Sequence, residues 1–407
     1  MGLIREIFGV PDGMISFDNC RIVLANNEIA NGSVLVEDGV IRDVCAEIAP
    51  DLAHRIDLDG KILMPGLIDL HSDAIEHELE PRPKTFLPFE LAVRQADRLF
   101  ANVGVTTAFH SLSFWSDGEI TRNNSFTAEF ARAITKLTNQ AIIDNRVHAR
   151  YEITNAAGLP HVSQVIEDGV ASLVSIMDHT PGQGQYPDES MFRDYLRSTG
   201  VTDVEADVIL EKKRDAVLQS RPSVEAVCKL CREFGIPLAS HDDDLPERFA
   251  DHAALGVTIS EFPMNKPAAQ KGILYGFTVL VGSPNVMRGQ STGAGPKAMD
   301  LIEAGFANGL CSDYMPATLL PAVFKIVSEL GWPLWRAAQL VTLQPAKAAK
   351  LTDRGEISPG KRADLIVVEP HYDWPIVRYL WSAGKLSYAS LPIDSSSIAA
   401  SAKVCQP

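Results

Sequence analysis

Hydrophobic and polar positions follow two different patterns along the 407 residues. Near both chain ends, short runs of alternating apolar residues are separated by Asn-Asn, Asn-Gly and Asp-Gly turns, a pattern typical of antiparallel strands. Between residues 63 and 354, single apolar strands instead alternate with segments whose apolar residues recur at helical spacing. The second pattern is typical of a parallel α/β architecture, so a central α/β domain with β-rich ends is predicted.

The two β-rich ends are predicted to form one small β-sandwich. Strands are expected at 14–17, 21–24, 33–37 and 40–44 in the N-terminal part and at 363–368 in the C-terminal part. The predicted domains are therefore 1–62 and 355–407 for the sandwich and 63–354 for the inserted catalytic domain.

The central segment contains eight strand candidates, which predict an α/β fold of the (β/α)8 TIM-type barrel. They end near His71, Ser111, Glu152, Asp178, Ser240, Phe262, Gly282 and Asp313. Helices are predicted at 89–102, 125–137, 204–219, 222–234 and 296–303. Since active sites of such barrels lie at the carboxyl ends of the strands, chemically active side chains should collect where strands stop.

Metal-ligating residue types do collect there. His71 and Asp73 are two residues apart, so alternation along the strand sends both side chains to the same side. Further His and carboxylate residues close other strands, namely Glu152, His179, His241 and Asp313. Each alone also fits a capping Asp, a core His or a salt-bridged Glu. Together they predict a site for Zn²⁺, Mn²⁺ or Fe²⁺, among which N and O ligands do not select strongly.

Composition narrows the class of partner. The net charge of −15 argues against general affinity for nucleic acid or an anionic membrane. The first ten residues lack the apolar core of a signal peptide, and no apolar run is long enough to span a bilayer. Six cysteines do not make a disulfide scaffold, so a cytoplasmic location is expected. Cys228 and Cys231 lie in a predicted helix, where packing is a better explanation than metal binding.

Two segments resemble the amidohydrolase superfamily. Residues 65–73 read PGLIDLHSD, similar to its first-strand signature PGxxDxHxH with Asp73 in place of the second His, and GEISPGKRADLIVV from Gly355 is similar to its small-domain closing segment. The resemblance implies a metal-dependent hydrolase with one or two divalent ions, zinc before manganese or iron. It also implies Glu152 as a metal-bridging carboxylate and Asp313 as both ligand and general base.

Several strings further resemble the PhnM family of phosphonate metabolism: HSDAIEHELEPRPK (71–84), MDHTPGQGQY (177–186), ASHDDD (239–244), TISEFP (258–263), GSPNVMRG (282–289) and CSDYMPATLL (311–320). This resemblance implies release of pyrophosphate from α-D-ribose 1-methylphosphonate 5-triphosphate. The chain departs from the family at His110, where an Asp is usual, and at 290–295, where SHSGN is usual. Both departures are expected at strand ends, where they would bear on the substrate.

A polyphosphate substrate needs cations, and Arg82, Lys84 and Arg288 are the predicted ones. The loop from His179 to Gln185 would offer backbone N–H groups to phosphate or be a plain connection. His179 and His241 close the fourth and fifth strands, whereas the superfamily usually carries its two metal-binding histidines on the fifth and sixth. Glu261 ends the sixth strand, where a metal ligand, a partner of a ligand and a substrate contact all remain open.

Two other functions compete with this one. An amidohydrolase that cleaves a C–N bond of a small amide, N-acyl or cyclic substrate would use the same activated water. The three predicted cations favour hydrolysis of a phosphoanhydride over that of a C–N bond, because a neutral amide substrate does not need positive charges around it. A catalytically silent barrel is the third reading, against which the complete set of ligand types argues. The expected partner is a small phosphorylated molecule, and the sequence leaves a homo-oligomer open.

Overall fold

The computed structural model describes residues 13–46, 54–115, 123–182, 184, 188–198, 200–291, 295–370 and 374–390. Its strands are β1 (Met14–Val23), β2 (Glu28–Glu37), β3 (Val40–Cys45), β4 (His54–Asp57), β5 (Ile62–Pro65), β6 (Leu67–Ser72), β7 (Val105–Phe114), β8 (Asp144–Glu152), β9 (Ala171–Met177), β10 (Leu238–His241), β11 (Ile259–Glu261), β12 (Thr278–Gly282), β13 (Gly309–Cys311), β14 (Leu365–Glu369), β15 (Ile376–Ser382) and β16 (Lys385–Ala389).

The helices are α1 (Ala74–Leu79), α2 (Phe89–Asn102), α3 (Asn124–Leu137), α4 (Leu159–Glu167), α5 (Glu189–Ser198), α6 (Asp203–Leu218), α7 (Arg221–Glu233), α8 (Phe249–Leu255), α9 (Lys266–Leu274), α10 (Ser283–Arg288), α11 (Ala298–Glu303), α12 (Leu319–Leu330), α13 (Leu334–Ala338) and α14 (Leu343–Ala348). Among these, none is both long and apolar enough to cross a bilayer.

Helix starts follow side-chain signals in the sequence. Asn123 caps α3 by accepting hydrogen bonds from the backbone N–H groups of Ser125 and Phe126. Thr202 and Glu205 form a reciprocal capping box at the start of α6. Such caps satisfy backbone donors that a helix leaves unpaired at its first turn, which is why these helices begin within one residue of the predicted positions.

Strands β6 to β13 form the predicted parallel barrel. They are hydrogen-bonded in strict sequence order. The first and last strands meet at a parallel bridge between Ser72 and Asp313. There the Asp313 N–H donates to the His71 carbonyl at 3.0 Å, and the Asp73 N–H donates to the Asp313 carbonyl at 2.8 Å. The barrel is therefore closed at the edge that carries His71, Asp73 and Asp313.

The small domain confirms that both chain ends contribute to one β unit. Its strands hydrogen-bond as one continuous sheet in the order β16-β15-β14-β5-β1-β2-β3, with β4 beside β1. Phe17 from the N-terminal part packs edge-on against Trp381 from the C-terminal part, with ring centroids 4.6 Å apart. The central strands β5 and β14 pair across the chain, which ties the two ends together.

Strand bounds differ from the predicted ones at several places; β2, for example, begins at Glu28, five residues before the predicted start at residue 33. The predicted strands 14–17 and 21–24 form one continuous strand, β1. Between them the pairing register shifts, and Asn19 adopts a positive φ of 53° there. The polar residues there mark a bulge, and the strand continues through it. The second barrel strand, β7, runs to Phe114 and so extends three residues past the predicted end at Ser111.

The chain passes from the small sheet to the barrel at Gly66. Its N–H donates to the Asp364 carbonyl at 2.8 Å. A Cβ at this position would lie 2.2 Å from Thr106 Oγ1, so a side chain does not fit between β5 and β6. β5 belongs to the small sheet, and the predicted domain boundary after residue 62 stays a prediction.

The Cys-x-x-Cys pair lies on α7. Both thiols are free and buried among the packed helices. Burial raises the pKa of Cys228 to about 11 and that of Cys231 to about 12, so neither is a ready thiolate. These positions agree with the interpretation that the pair serves helix packing.

Candidate metal centre and active site

The end of the first barrel strand is held by a buried carboxylate of the PGLIDLHSD segment. Asp69 accepts hydrogen bonds from the Ser312 N–H at 3.0 Å and from the His71 N–H at 3.4 Å. Burial raises the pKa of Asp69 to about 7, against the effect of the Ser312 hydrogen bonds. Asp69 therefore links the first and eighth strands and positions His71 next to Asp313.

His71 is fixed from behind by a second buried carboxylate. Its Nδ1 lies 3.0 Å from Glu261 Oε1, and we assign Nδ1 as the donor because a carboxylate only accepts. Its Nε2 then carries the lone pair and faces Asp73 Oδ1 at 3.7 Å. Burial lowers the pKa of His71 well below its ordinary value, so the ring is neutral and suited to bind a cation.

The imidazole of His179 is held in the same way, with one carboxylate at Nδ1 and another facing Nε2. Its Nδ1 lies 2.9 Å from Glu152 Oε2, and its Nε2 faces Asp242 Oδ2 at 3.8 Å. Trp115 stacks on the ring with centroids 5.4 Å apart and an interplanar angle of 15°. Burial acts to raise the pKa of Glu152, but hydrogen bonds from His179 and Thr154 outweigh it and lower that pKa.

These residues fit a divalent ion. With Nδ1 of each ring assigned as the donor to a glutamate, the two Nε2 atoms face carboxylate oxygens at 3.7 and 3.8 Å. Two ligands of one tetrahedral ion, at bonds near 2.1 Å, are roughly 3.4 Å apart, which is close to that separation. Three overlapping groups have ligand atoms that all lie within 4.8 Å of one another: His71, His241 and Glu261; His179, His241 and Asp242; and His71, Asp73 and Asp313.

Asp313 follows the eighth strand with a positive φ of 55°. Its carbonyl accepts hydrogen bonds from Asp73 N–H and from Ser72 Oγ, the latter at 2.9 Å. Burial and the nearby Asp73 carboxylate raise the pKa of the Asp313 side chain to about 7. A strained, doubly held backbone therefore presents this carboxyl to the same space as His71 and Asp73.

His241 ends the fifth strand and has a different neighbour at each nitrogen. Its Nδ1 lies 3.3 Å from Asp242 Oδ1, and its Nε2 lies 3.3 Å from Arg150 Nη2. Burial acts to lower the pKa of His241, but Asp242 outweighs it and the pKa lies above its ordinary value. Arg150 also donates to Asp73 Oδ1 at 3.0 Å.

A cavity of about 390 Å³ opens at this edge of the barrel. Its charged and imidazole lining comes from five strand ends and consists of His71, Asp73, Arg150, His179, His241, Asp242 and Asp313. The remaining wall is largely apolar and is formed by residues 262–264 and by the start of α10. A pocket with converging ligands and a hydrophobic wall is typical of an active site.

The other predicted site residues lie elsewhere. Arg82, Lys84 and Arg288 are exposed and are not among the described residues that line the cavity. Glu152 and Glu261 are fully buried behind His179 and His71, and neither lines the cavity. The bridging-ligand role of Glu152 stays a prediction, as do the substrate contacts predicted for Glu261 and for the three exposed cations.

Arg150, Asp242 and His148 were missed by the sequence analysis. His148, Arg150 and Glu152 alternate along β8, so all three point to the same side of the strand. That alternation was the available signal, but Glu152 was predicted only because it ends the strand. Asp242 was hidden among three consecutive aspartates, and only its positive φ of 54° turns it towards His179.

The glycine-rich loop after His179 is described only in part, and residues 183 and 185–187 lie outside the described structure. The Gly184 N–H donates to Asp244 Oδ2 at 3.0 Å. A carboxylate thus already satisfies this donor. At the second departure, Ser291 and Gly295 line the cavity, while residues 292–294 lie outside the described structure.

His110 does not bear on the site as expected. It lies inside β7, not at a strand end, and its Nε2 donates to Asn145 Oδ1 at 2.8 Å. Asn145 in turn donates to Asp97 on α2, and Phe100 packs on the imidazole. Its side chain therefore faces the surrounding helices rather than the cavity.

Replacing His110 by Gln is expected to reduce the sensitivity of the fold to acid. Burial lowers the pKa of His110 to about 4, below the unfolded value near 6.5, so stability falls as pH drops from 6.5 towards 4. Between pH 6.5 and about 5, the parent should lose about 2 kcal/mol that the variant keeps. Urea unfolding at both pH values measures this difference.

The matched control for this prediction is His54→Gln, whose ring is exposed on β4. Because that ring is solvated before and after unfolding, the acid slope of this variant should equal that of the parent. An unchanged slope in His110→Gln would show that the buried imidazole takes up its proton without unfolding.

Comparisons with known proteins agree with this geometry. The model of the amidohydrolase family matches residues 212–388. The α-D-ribose 1-methylphosphonate 5-triphosphate diphosphatase of Escherichia coli (strain K12) is 34% identical over 376 residues, which cover 90% of this chain and 98% of that protein. An imidazolonepropionase of Pseudomonas paraeruginosa (strain DSM 24068 / PA7) is 25% identical over 403 residues, 91% of this chain and 96% of that protein.

Among solved structures, a 5-methylcytosine deaminase of Klebsiella pneumoniae liganded with phosphonocytosine has a TM-score of 0.64 at 17% identity. The match covers 93% of this chain and 99% of that one. At this identity the likeness concerns the fold alone. It extends to both the barrel and the small sheet.

Proposed function

The chain belongs to the amidohydrolase family, and from this premise we propose that it is a diphosphatase of α-D-ribose 1-methylphosphonate 5-triphosphate in phosphonate catabolism. The observation that carries the proposal is the 34% identity to the Escherichia coli diphosphatase over nearly the full length of both chains. The cavity with its converging ligands supports it, because phosphoanhydride hydrolysis needs an activated water and charge neutralisation at one place.

The family is metal-dependent, and the residues described above suit one or two divalent ions, of which we propose zinc, with manganese or iron as the next candidates. His71, Asp73 and Asp313 would hold one ion, and His179, His241 and Asp242 would hold another. When bound, such an ion lowers the pKa of a water molecule and neutralises phosphoryl charge.

The chain's own residues supply the rest of the reaction. Water attacks the α-phosphorus, the bond from that phosphorus to the bridging oxygen breaks, and the electron pair leaves with pyrophosphate. Asp313 is the carboxylate proposed to take the proton of the attacking water. Glu261 and Glu152 hold the imidazoles of His71 and His179 in place. Phe262, Pro263 and Met264 line the apolar side of the cavity.

Cleavage of a C–N bond remains the second candidate, and one observation favours it. Arg82, Lys84 and Arg288 are exposed away from the cavity, so the predicted surplus of cations is not present among the described lining residues. Arg150 is the cation that does line it. The two candidates thus differ in what the cavity binds, although both use the same ligands.

The test is metal content followed by pyrophosphate release. Purified enzyme is analysed for metal and then assayed with the ribose 5-triphosphate substrate. We expect bound metal and release of pyrophosphate that stops on chelation and returns when the metal is added back. Stoichiometric metal with no release from the triphosphate, but with hydrolysis of a cyclic amide, would favour the C–N function. Metal without turnover of either substrate would point to a silent barrel.

We further propose that the enzyme works in the cytoplasm on a small phosphorylated substrate. All five described cysteines are free thiols, which suits a reducing compartment.

A further inference from the structure

Arg150 is a buried cation in an acidic cavity. Its side chain enters from β8 and is 11% exposed. It is the one Lys or Arg among the described residues that line the cavity, against the carboxylates of Asp73, Asp242 and Asp313. Burial acts to lower the pKa of Arg150, but Asp73 and Glu261 outweigh it, so the guanidinium stays charged. Its ionic partner is Asp73, 3.0 Å away, and a buried charge that is kept beside a reaction site needs an explanation.

The guanidinium is only partly used within the protein. Nη1 donates to Asp73 Oδ1 at 3.0 Å, and Nη2 approaches His241 Nε2 at 3.3 Å. Nε is buried and has no hydrogen-bond partner in the described part of the chain. A guanidinium has five N–H groups in a planar fork, so these contacts leave donors over for a ligand.

The contact with His241 competes with metal binding. The Nε2 lone pair of a neutral imidazole serves one partner at a time, either a donated hydrogen or a cation. If this nitrogen were to hold an ion, its lone pair would no longer be available to Arg150. Nη2 of Arg150 would then lose its imidazole partner and become a donor available to a ligand in the cavity.

We propose that Arg150 is the phosphate-binding cation of this site, which contacts phosphoryl oxygens of the triphosphate and of the departing pyrophosphate once metal is bound. The inference rests on the proposed function. A guanidinium pairs well with phosphate because its planar fork matches two oxygens at once. At this position it would neutralise charge on the bridging oxygen as the bond to phosphorus breaks. The competing interpretation is that Arg150 is a structural residue, which only positions Asp73 and His241 and does not contact the substrate.

Pyrophosphate binding to metal-loaded and metal-free protein tests this inference. Calorimetric titration is performed on the parent, Arg150→Gln, Arg150→Lys and, as the matched control, Arg98→Gln on the exposed side of α2. We expect Arg150→Gln to keep its metal and to bind pyrophosphate about tenfold or more weakly. Arg150→Lys should be intermediate, because an ammonium keeps the charge but not the fork. Without metal, the parent and Arg150→Gln should bind equally weakly.

Two outcomes would overturn the inference alone. The first is a parent that hydrolyses the triphosphate while Arg150→Gln binds pyrophosphate as tightly as the parent. The second is loss of metal from both Arg150 variants, which would show that Arg150 only positions the metal-binding side chains. A metal-loaded parent that neither hydrolyses the triphosphate nor binds pyrophosphate would instead overturn the proposed function.

Discussion

Asp313→Asn should lower the rate of pyrophosphate release by about 10²- to 10⁴-fold, the usual contribution of a positioned general base. The carboxyl lies in the cavity beside Asp73 and Arg150, on a backbone that is hydrogen-bonded to the first strand on both sides. An Asn side chain has nearly the same shape but cannot take the proton of the attacking water. The side chain, not the backbone, therefore carries the expected loss.

The same preparations should be analysed for metal, because Asp313 is also a predicted ligand. Retained metal with lost release assigns the proton transfer to Asp313. If the metal is lost as well, the lower rate instead reflects the loss of Asp313 as a metal ligand. Asp300→Asn on the exposed side of α11 makes the same chemical change away from the cavity and should leave the rate unaltered. A rate within tenfold of the parent in Asp313→Asn would move the base to Asp73 or Asp242.

The fold was largely predictable because its strongest signals are local. The helix at 89–102 was predicted with the bounds that the structure shows, since its apolar residues recur at helical spacing over four turns. The end of β7 was misplaced because every residue of that strand is buried, its Thr, His and Ser residues included, so polarity along the sequence does not mark where the strand stops. The bulge at Asn19 was hidden because polar residues inside a strand look like a turn.

The site was only partly predictable, for a different reason. Strand ends identify which residues can meet, and His71, His179, His241 and Asp313 do meet around the cavity. Sequence does not show depth along the barrel axis. Glu261 ends its strand as His71 does, yet it lies one layer deeper and is covered by that imidazole. The exposed residues Arg82, Lys84 and Arg288 were predicted to bind phosphate, whereas the cation that lines the cavity, Arg150, comes from within a strand.

Glu152→Gln and Glu261→Gln are each expected to weaken metal binding by about 10- to 100-fold, the usual effect of removing a carboxylate behind a ligating imidazole. Glu152 and Glu261 accept from Nδ1 of His179 and His71, respectively, which leaves each Nε2 lone pair facing a carboxylate of the cavity. A neutral amide is a weaker acceptor than a carboxylate, so it orients the ring less firmly and makes Nε2 less basic. Competition titration against a chelator of known affinity measures the change.

Comparing the two variants separates support from coordination. Glu233→Gln on the exposed end of α7 is the control and should bind metal as the parent does. Similar losses in Glu152→Gln and Glu261→Gln would mean that both carboxylates act through an imidazole. A much larger loss in Glu152→Gln would mean that Glu152 is itself the bridging ligand, which requires its side chain to turn from His179 into the cavity when metal binds. Parent affinity in both variants would show that neither carboxylate contributes to metal binding.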